Sequence, residues 1–115
     1  MSDNKIHFKE WEHADLRVGK ILKVEDHPNA DKLYILTVDL GEEKPRTIIA
    51  GLKTYLEKEE LEDKLAIFVA NLAPITLRGI ESNGMILAAI SEDENNASIL
   101  SPLNPGNITP GDKVR

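Results

Sequence analysis

The sequence predicts an all-β protein in which five strands form a small closed barrel and one short helix lies between strands 3 and 4. Three observations lead to this prediction: short runs of alternating apolar residues, turn signals between them, and one stretch with helical spacing. This order of elements is typical of a Greek-key OB-fold barrel. The chain has 115 residues, which fits one such domain.

The first predicted strand covers residues 14–25, where apolar and polar residues alternate on both sides of Gly19. A glycine inside such a pattern suggests a bulge or a sharp bend, and small barrels need bends at their corners. Before this strand, the spacing of Phe8 and Trp11 predicts a short helical turn that packs both rings into the core. We therefore expect an N-terminal extension over residues 1–13.

The rest of the barrel domain, which is predicted to extend to residue 115, is inferred from apolar runs that are bounded by turns. The turn at 27–31 precedes a strand at 33–40, and the turn at 41–45 precedes a short β-branched strand at 47–49. Leucines at near-helical spacing predict the single helix within residues 50–63.

The last strands are predicted from the most apolar runs. Residues 64–73 and 84–90 read as two further strands, and the turn-rich segment 95–115 is expected to wrap the barrel with short strands. Between these runs, residues 77–88 form a polar loop that contains two glycines and leads into a strand. Such loops on a rigid scaffold often carry binding function, although an ordinary hairpin turn is an alternative interpretation.

The net charge of −6 argues, taken alone, against a nucleic-acid-binding protein. The acidity is concentrated, however, in residues 57–63 and 92–94. Outside these two segments the chain has 13 bases and 12 acids. Because charges act over only about 8–10 Å in physiological salt, the remainder can still form a local basic surface.

The chain has little that could support catalysis. It has no cysteine, no nucleotide-binding motif and only three scattered histidines, so we expect neither an enzyme nor a metal site nor a cofactor. His27 lies among acidic residues, and we interpret that cluster as a solvated turn and not as a metal site. No apolar run is long enough to span a membrane and no signal segment is evident, so a cytoplasmic location is predicted.

Several segments together resemble the tRNA-binding OB domain. That domain occurs at the C-terminus of many methionyl-tRNA synthetases, in free-standing tRNA-binding proteins and in proteins associated with multisynthetase complexes. The resemblance covers residues 14–115 and rests on five segments, which are Asp15–Ile21, His27–Tyr34, Ala50–Leu52, Val69–Leu72 and Arg78–Ala88.

The resemblance implies a non-catalytic protein that binds the tRNA body with little sequence preference. It further implies a homodimer that assists a methionyl-tRNA synthetase, as its separate β subunit or as its C-terminal domain. The tRNA-contacting positions that it implies are Lys32, Arg46, Lys53, Asn71, Arg78, Ser82 and Met85. The cations would meet phosphates, the two polar side chains would bond to sugar or phosphate oxygens, and the methionine would give apolar contact.

Each of these positions also has a simpler interpretation. Lys53 and Arg46 could be ordinary exposed charges, Met85 could belong to the core, and Asn71 could satisfy backbone groups in a turn. Asn83 replaces a glutamine that is frequent in the family, which puts a contact from that side chain in doubt.

A protein-interaction module is the alternative function, because a family of secretion chaperones shares the barrel and part of the first-strand motif. The intact run of residues 29–34 favours the tRNA-binding branch.

Overall fold

A computed structural model describes residues 4–115 as antiparallel strands joined by short turns, and the first three residues of the predicted extension lie outside this part. The elements are α1 (Phe8–Trp11), β1 (Leu16–Asp26), β2 (Tyr34–Asp39), β3 (Arg46–Ala50), α2 (Lys58–Leu61), β4 (Leu65–Val69), β5 (Ile75–Leu77), β6 (Ile80–Ser82), β7 (Met85–Ile86), β8 (Ala88–Ile90), β9 (Ala97–Ile99), a 3₁₀ turn (Pro105–Asn107) and β10 (Lys113–Val114).

Five strands form the wall of the barrel in the order β3-β2-β1-β4-β7, all antiparallel. The long strand β1 pairs with β4 over its first half and with β2 over its second half. The barrel closes where the backbone N–H of Asn83, just after β6, donates to the carbonyl oxygen of Thr47 on β3 at 2.8 Å. The predicted five-stranded barrel, with its helix between β3 and β4, is confirmed.

The alternating pattern of β2 directs one face of this strand into the core. Tyr34, Leu36 and Val38 are buried, and the residues between them are partly exposed. Phe68 on β4 and Ile48 on β3 complete the interior from the neighbouring strands. Because side chains alternate between the two faces of a strand, this pattern also fixes the register of β2 against its neighbours.

The expected irregularity in β1 lies a few residues beyond the glycine. The register shift falls between Ile21 and Lys23, whereas Gly19 pairs regularly with Ala66 of β4. A Cβ atom on Gly19 would lie 2.7 Å from the ring of Phe68. The glycine is therefore needed for close packing of that ring across the strand, and the bulge is made elsewhere.

The two predicted helical segments form as single turns, of four residues each. The prediction that α1 packs two rings into the core is wrong, because Phe8 is 71% exposed and Trp11 is 38% exposed. The helical turn lies outside the barrel, and side chains of the strands already fill the barrel's interior, so the core has no space for the two rings. No helix within residues 4–115 has the length and apolar character needed to cross a membrane.

Candidate nucleic-acid interface

The strand ladder separates the barrel into two ends. At one end Asp26, Tyr34 and Ala50 lie side by side on β1, β2 and β3. We call this end, with the turn at 27–33 and the hairpin tip at 77–79, the basic end. At the other end, which we call the paired end, Arg46 begins β3, and residues 15–17, 40–45, 70–71 and 111 lie around it.

Lys32 and Arg78 lie together at the basic end. Both side chains are exposed, and neither makes an ion pair with any described residue. They line one concavity of about 360 Å³ together with Ala30, Asp31 and Leu33. The two cations come from a turn and a hairpin that are distant in sequence, so the fold itself assembles this pair.

Arg78 occupies a backbone conformation that is unusual for its residue type. It has φ 52° and Gly79 has φ 90°, at the two central positions of the hairpin between β5 and β6. Two-residue hairpins with positive φ at both positions favour asparagine, aspartate or glycine, because a larger side chain is strained there. The long cation is thus held at the tip at a cost of about 1 kcal/mol, which points to a role outside folding.

His27 holds the turn against this hairpin. Its Nδ1 accepts the backbone N–H of Asn29 at 3.0 Å, so the proton must lie on Nε2, which donates to the carbonyl oxygen of Leu77 at 3.0 Å. The amide of Asn29 also reaches the carbonyl oxygen of Arg78 at 3.5 Å. His27 is only 4% exposed. The turn around it is largely exposed, as interpreted, whereas the His27 ring itself is a buried link that sets Lys32 beside Arg78.

Lys53 lies at the same end but is paired. Its Nζ atom is 3.2 Å from Oδ1 of Asp26, whose Oδ2 is 3.1 Å from Nζ of Lys58. Hydrogen bonds from Lys58 and then Lys53 hold the pKa of the Asp26 carboxyl below its ordinary value. The hydroxyl of Tyr34 donates to the carbonyl oxygen of Leu56 at 2.8 Å, which fixes the segment that carries Lys53.

Arg46 lies at the paired end, where its guanidinium is fully engaged. It forms a bidentate pair with Glu42, at 2.8 and 2.7 Å, and donates to the carbonyl oxygen of Ala70 at 2.6 Å. Only 18% of its side chain is exposed. Hydrogen bonding to Arg46 lowers the pKa of the Glu42 carboxyl, and the same pairing raises the pKa of Arg46. The alternative that Arg46 is an ordinary exposed charge is wrong.

Asn71 is likewise used within the protein. Its Oδ1 accepts the backbone N–H of Asp15 at 2.9 Å, and its Nδ2 donates to the carbonyl oxygen of His13 at 2.6 Å. The side chain therefore ties the start of β1 to the end of β4. This agrees with the simpler interpretation of Asn71, in which its amide satisfies backbone groups.

Ser82 belongs to the seam of the barrel. Its hydroxyl accepts the backbone N–H of Ile49 at 2.9 Å and donates to the carbonyl oxygen of Gly84 at 3.2 Å, and the residue is 2% exposed. It replaces a strand–strand hydrogen bond where β3 meets β6, so it presents no hydroxyl at the surface. Met85 is 44% exposed while its neighbour Ile86 is buried, so the core interpretation of Met85 is wrong.

The sequence alone assigns no role at the basic end to Asp26, His27 or Lys58. The turn that begins at His27 is evident from the sequence, but the burial of its histidine is not, because that burial depends on the distant hairpin. No three histidine, aspartate or glutamate side chains among residues 4–115 are grouped so that they could hold a metal ion.

The arrangement defines a class of protein. In oligonucleotide-binding OB domains, the loops between strands 1 and 2 and between strands 4 and 5 contact the ligand. Here Lys32 lies in the loop between β1 and β2, and Arg78 lies in the long connection between β4 and β7, which are the fourth and fifth strands of the barrel. A family model described as "Putative tRNA binding domain" matches residues 16–113, and the chain belongs to this family of tRNA-binding domains.

Individual relatives agree with this family. The chain is 57% identical over 97 residues to the methionine–tRNA ligase of Pyrococcus horikoshii, a match that covers 84% of this chain and 13% of the ligase. The chain thus corresponds to a small part of that enzyme's length.

Two solved structures are similar over nearly the whole chain. A MetRS-related protein from Pyrococcus horikoshii has a TM-score of 0.89 and 33% identity and covers 98% of this chain and 100% of its own. The CsaA chaperone protein of Picrophilus torridus has a TM-score of 0.85 and 29% identity, with 96% and 100% covered.

Proposed function

We propose that this chain binds the body of tRNA through its basic end and assists a methionyl-tRNA synthetase in aminoacylation. The observation that carries the proposal is the pair Lys32 and Arg78, two exposed cations without ion-pair partners among the described residues, on the two loops that contact ligands in OB domains. Membership of the tRNA-binding family supports the same ligand.

The mode of binding that we propose is contact with phosphates and with the shape of the folded RNA. OB domains that hold unpaired bases stack them on aromatic side chains. In this chain the exposed rings of Phe8 and Trp11 lie on α1, beside the start of β1 and away from the basic end. At the basic end Tyr34 is buried and Tyr55 is packed against the core. Cations beside rings that face the core suit the backbone of structured RNA, which proteins recognise by shape.

The proposed partner is the catalytic part of a methionyl-tRNA synthetase, in the cytoplasm. The similarity to a segment of the Pyrococcus horikoshii methionine–tRNA ligase supports this link. A few surface cations give modest affinity, and tethering to a synthetase multiplies the effect of such a weak site through effective concentration.

A homodimer is the proposed assembly. Phe8 and Trp11 border a depression of about 270 Å³ that charged residues also line, and a second, mainly apolar one of about 440 Å³ lies beside it, with Lys113 and Val114 common to both. Contiguous exposed apolar surface is typical of interfaces. We expect a size close to twice 12.8 kDa by light scattering, and reversion to a monomer when Phe8 and Trp11 are both replaced by serine.

A chaperone-like module is the second candidate. The likeness to the CsaA chaperone protein and the same apolar surface favour it. The two candidates use different surfaces, so they predict different ligands for the same purified chain.

The decisive experiment compares the two ligands directly. Fluorescence anisotropy with labelled tRNA should show binding. The logarithm of the association constant should fall linearly with the logarithm of salt concentration, with a slope of about 0.7–0.9 for each neutralised phosphate. A permanently unfolded polypeptide should bind far more weakly. Preferential binding of the polypeptide would favour the chaperone, and addition of the chain to a synthetase should lower KM for tRNA if the synthetase role is correct.

A further inference from the structure

We propose that Asp26 competes with RNA phosphate for Lys53, and that Lys58 holds the Asp26 carboxylate when Lys53 turns to the RNA. Asp26 would thus lower the affinity of the basic end for tRNA and make release easier. This inference rests on the proposed tRNA-binding function.

The geometry provides a carboxylate with two separate partners. Oδ1 of Asp26 is paired with Lys53 and Oδ2 with Lys58, at 3.2 and 3.1 Å. The second pair is also a hydrogen bond by its geometry. Each oxygen has its own ammonium group, so the loss of one partner leaves the other pair intact.

The position of the pair places it within the proposed binding surface. Asp26 is the last residue of β1 and precedes His27, whose ring bonds to the carbonyl oxygen next to Arg78. Asp26 and Lys53 lie at the same end as Lys32 and Arg78 but outside the concavity that these two line. An RNA backbone that extends across this end can bring a further phosphate to Lys53, where the carboxylate of Asp26 repels it and occupies the lysine.

The two lysines differ in what surrounds them. Lys58 begins α2 and is flanked by Glu57 and Glu59, so the local field there opposes a phosphate. Lys53 lies on the segment between β3 and α2 without an adjacent acid in sequence. Lys53 is therefore the cation that suits RNA, and Lys58 is the one that suits Asp26.

Replacing the Asp26 carboxylate on Lys53 by an RNA phosphate costs little free energy of folding. The paired side chains of Lys53, Lys58 and Asp26 are 32%, 37% and 50% exposed, and ion pairs at such exposure contribute little net stability. A phosphate can replace the carboxylate on Lys53 without leaving a buried charge. The barrel is then unaffected by which anion Lys53 holds.

The test is Asp26→Asn, which removes the charge and keeps the shape. We expect tRNA affinity to rise about threefold near 0.1 M salt, since one nearby like charge is removed in a screened, wet environment. The log–log salt slope should change by less than the about 0.7–0.9 that an additional neutralised phosphate would add, because Lys53 reaches the RNA in both proteins. Lys58→Ala should have the opposite effect and weaken binding, because Asp26 then has only Lys53 as its partner.

Two further variants separate this mechanism from a general charge effect. In a Lys53→Ala background, Asp26→Asn should give no gain in affinity. Asp63→Asn makes the same charge change at a residue that has no ion pair with a described residue and that tolerates asparagine at its φ of 66°. It should leave affinity unchanged, and all variants should keep the wild-type circular dichroism spectrum.

Each outcome has a distinct meaning. Unchanged or weaker binding by Asp26→Asn, while the wild type binds tRNA, overturns the competition and leaves the proposed function intact. An equal gain from Asp63→Asn, or a gain that persists without Lys53, also overturns it. If the folded wild type and Asp26→Asn both fail to bind tRNA, the proposed function fails and this inference fails with it.

Discussion

The two ends of the barrel use their cations in different ways. At the paired end, Arg17 bonds to Asp15 and Arg46 bonds to Glu42, and each also donates to a backbone carbonyl oxygen. At the basic end, Lys32 and Arg78 have no ion-pair partner among the described residues, and Lys53 shares one carboxylate with Lys58. The same residue types stabilise the barrel at one end and remain available to a ligand at the other.

The tRNA-contacting positions that the family resemblance implies fall into two groups when their contacts within the protein are compared. Arg46, Asn71 and Ser82 serve the fold through short internal hydrogen bonds. The side chains of Lys32 and Arg78 make no ion pair within residues 4–115. We therefore propose that tRNA contact centres on these two residues, and that Lys53 makes a third contact when Asp26 releases it.

The largest effect that tests this comparison is the loss of both exposed cations. Replacing Lys32 and Arg78 by alanine should weaken tRNA binding by about 2–3 kcal/mol at low salt and reduce the log–log salt slope by about 1.5. Filter binding across a salt series measures both. Lys44→Ala, which removes an exposed cation near the paired end, is the control and should change affinity little. An equal loss from the control would contradict the division into two ends.

The next effect is expected on stability and not on binding. Arg46→Ala removes the partner of Glu42 and of the carbonyl oxygen of Ala70, and should destabilise the fold by about 2 kcal/mol. Urea unfolding measures this change. The folded fraction should bind tRNA as the wild type does. A marked loss of affinity with unchanged stability would move Arg46 into the binding surface.

A smaller effect is expected at the hairpin tip, where one substitution should raise stability and lower tRNA affinity. Arg78→Asn places a residue that tolerates positive φ at the hairpin tip, and should stabilise the protein by about 0.5–1 kcal/mol. It should weaken tRNA binding about fivefold, because one exposed cation is lost. Thermal unfolding and anisotropy on the same sample measure both changes. A variant that is both less stable and fully active would show that the arginine is kept for folding.

The smallest effect is an acid sensitivity that belongs to the paired end. Pairing holds the pKa of Glu42 below 4.5 and that of Asp15 below 3.8, their ordinary values. The unfolded chain therefore takes up protons first, and this stabilisation is full above pH 4.5 and is lost as the pH falls through the lowered values. Because both groups are partly exposed, we expect less than about 1 kcal/mol from each. Urea unfolding between pH 6 and 3 should show a shallower decline for Glu42→Gln than for the wild type; equal slopes would assign the acid sensitivity to other groups.

The barrel was predictable because its signals are local. The alternation in β2 and the turns at 27–31 and 41–45 each follow from a few adjacent residues. The roles of Phe8 and His27 were not predictable in this way. Whether a ring is buried depends on which distant element covers it: nothing in the barrel covers Phe8, whereas the β5–β6 hairpin covers His27.

By itself, the sequence determined an all-β barrel of the tRNA-binding family and a set of polar positions for its site. Only the tertiary structure decided which of those positions face solvent. Periodicity indicates which face of its own strand a residue takes, whereas several contacts of the charged groups depend on atoms far along the chain. The carbonyl oxygen of Ala70 that engages Arg46, and the distant lysines that share Asp26, are contacts of that kind.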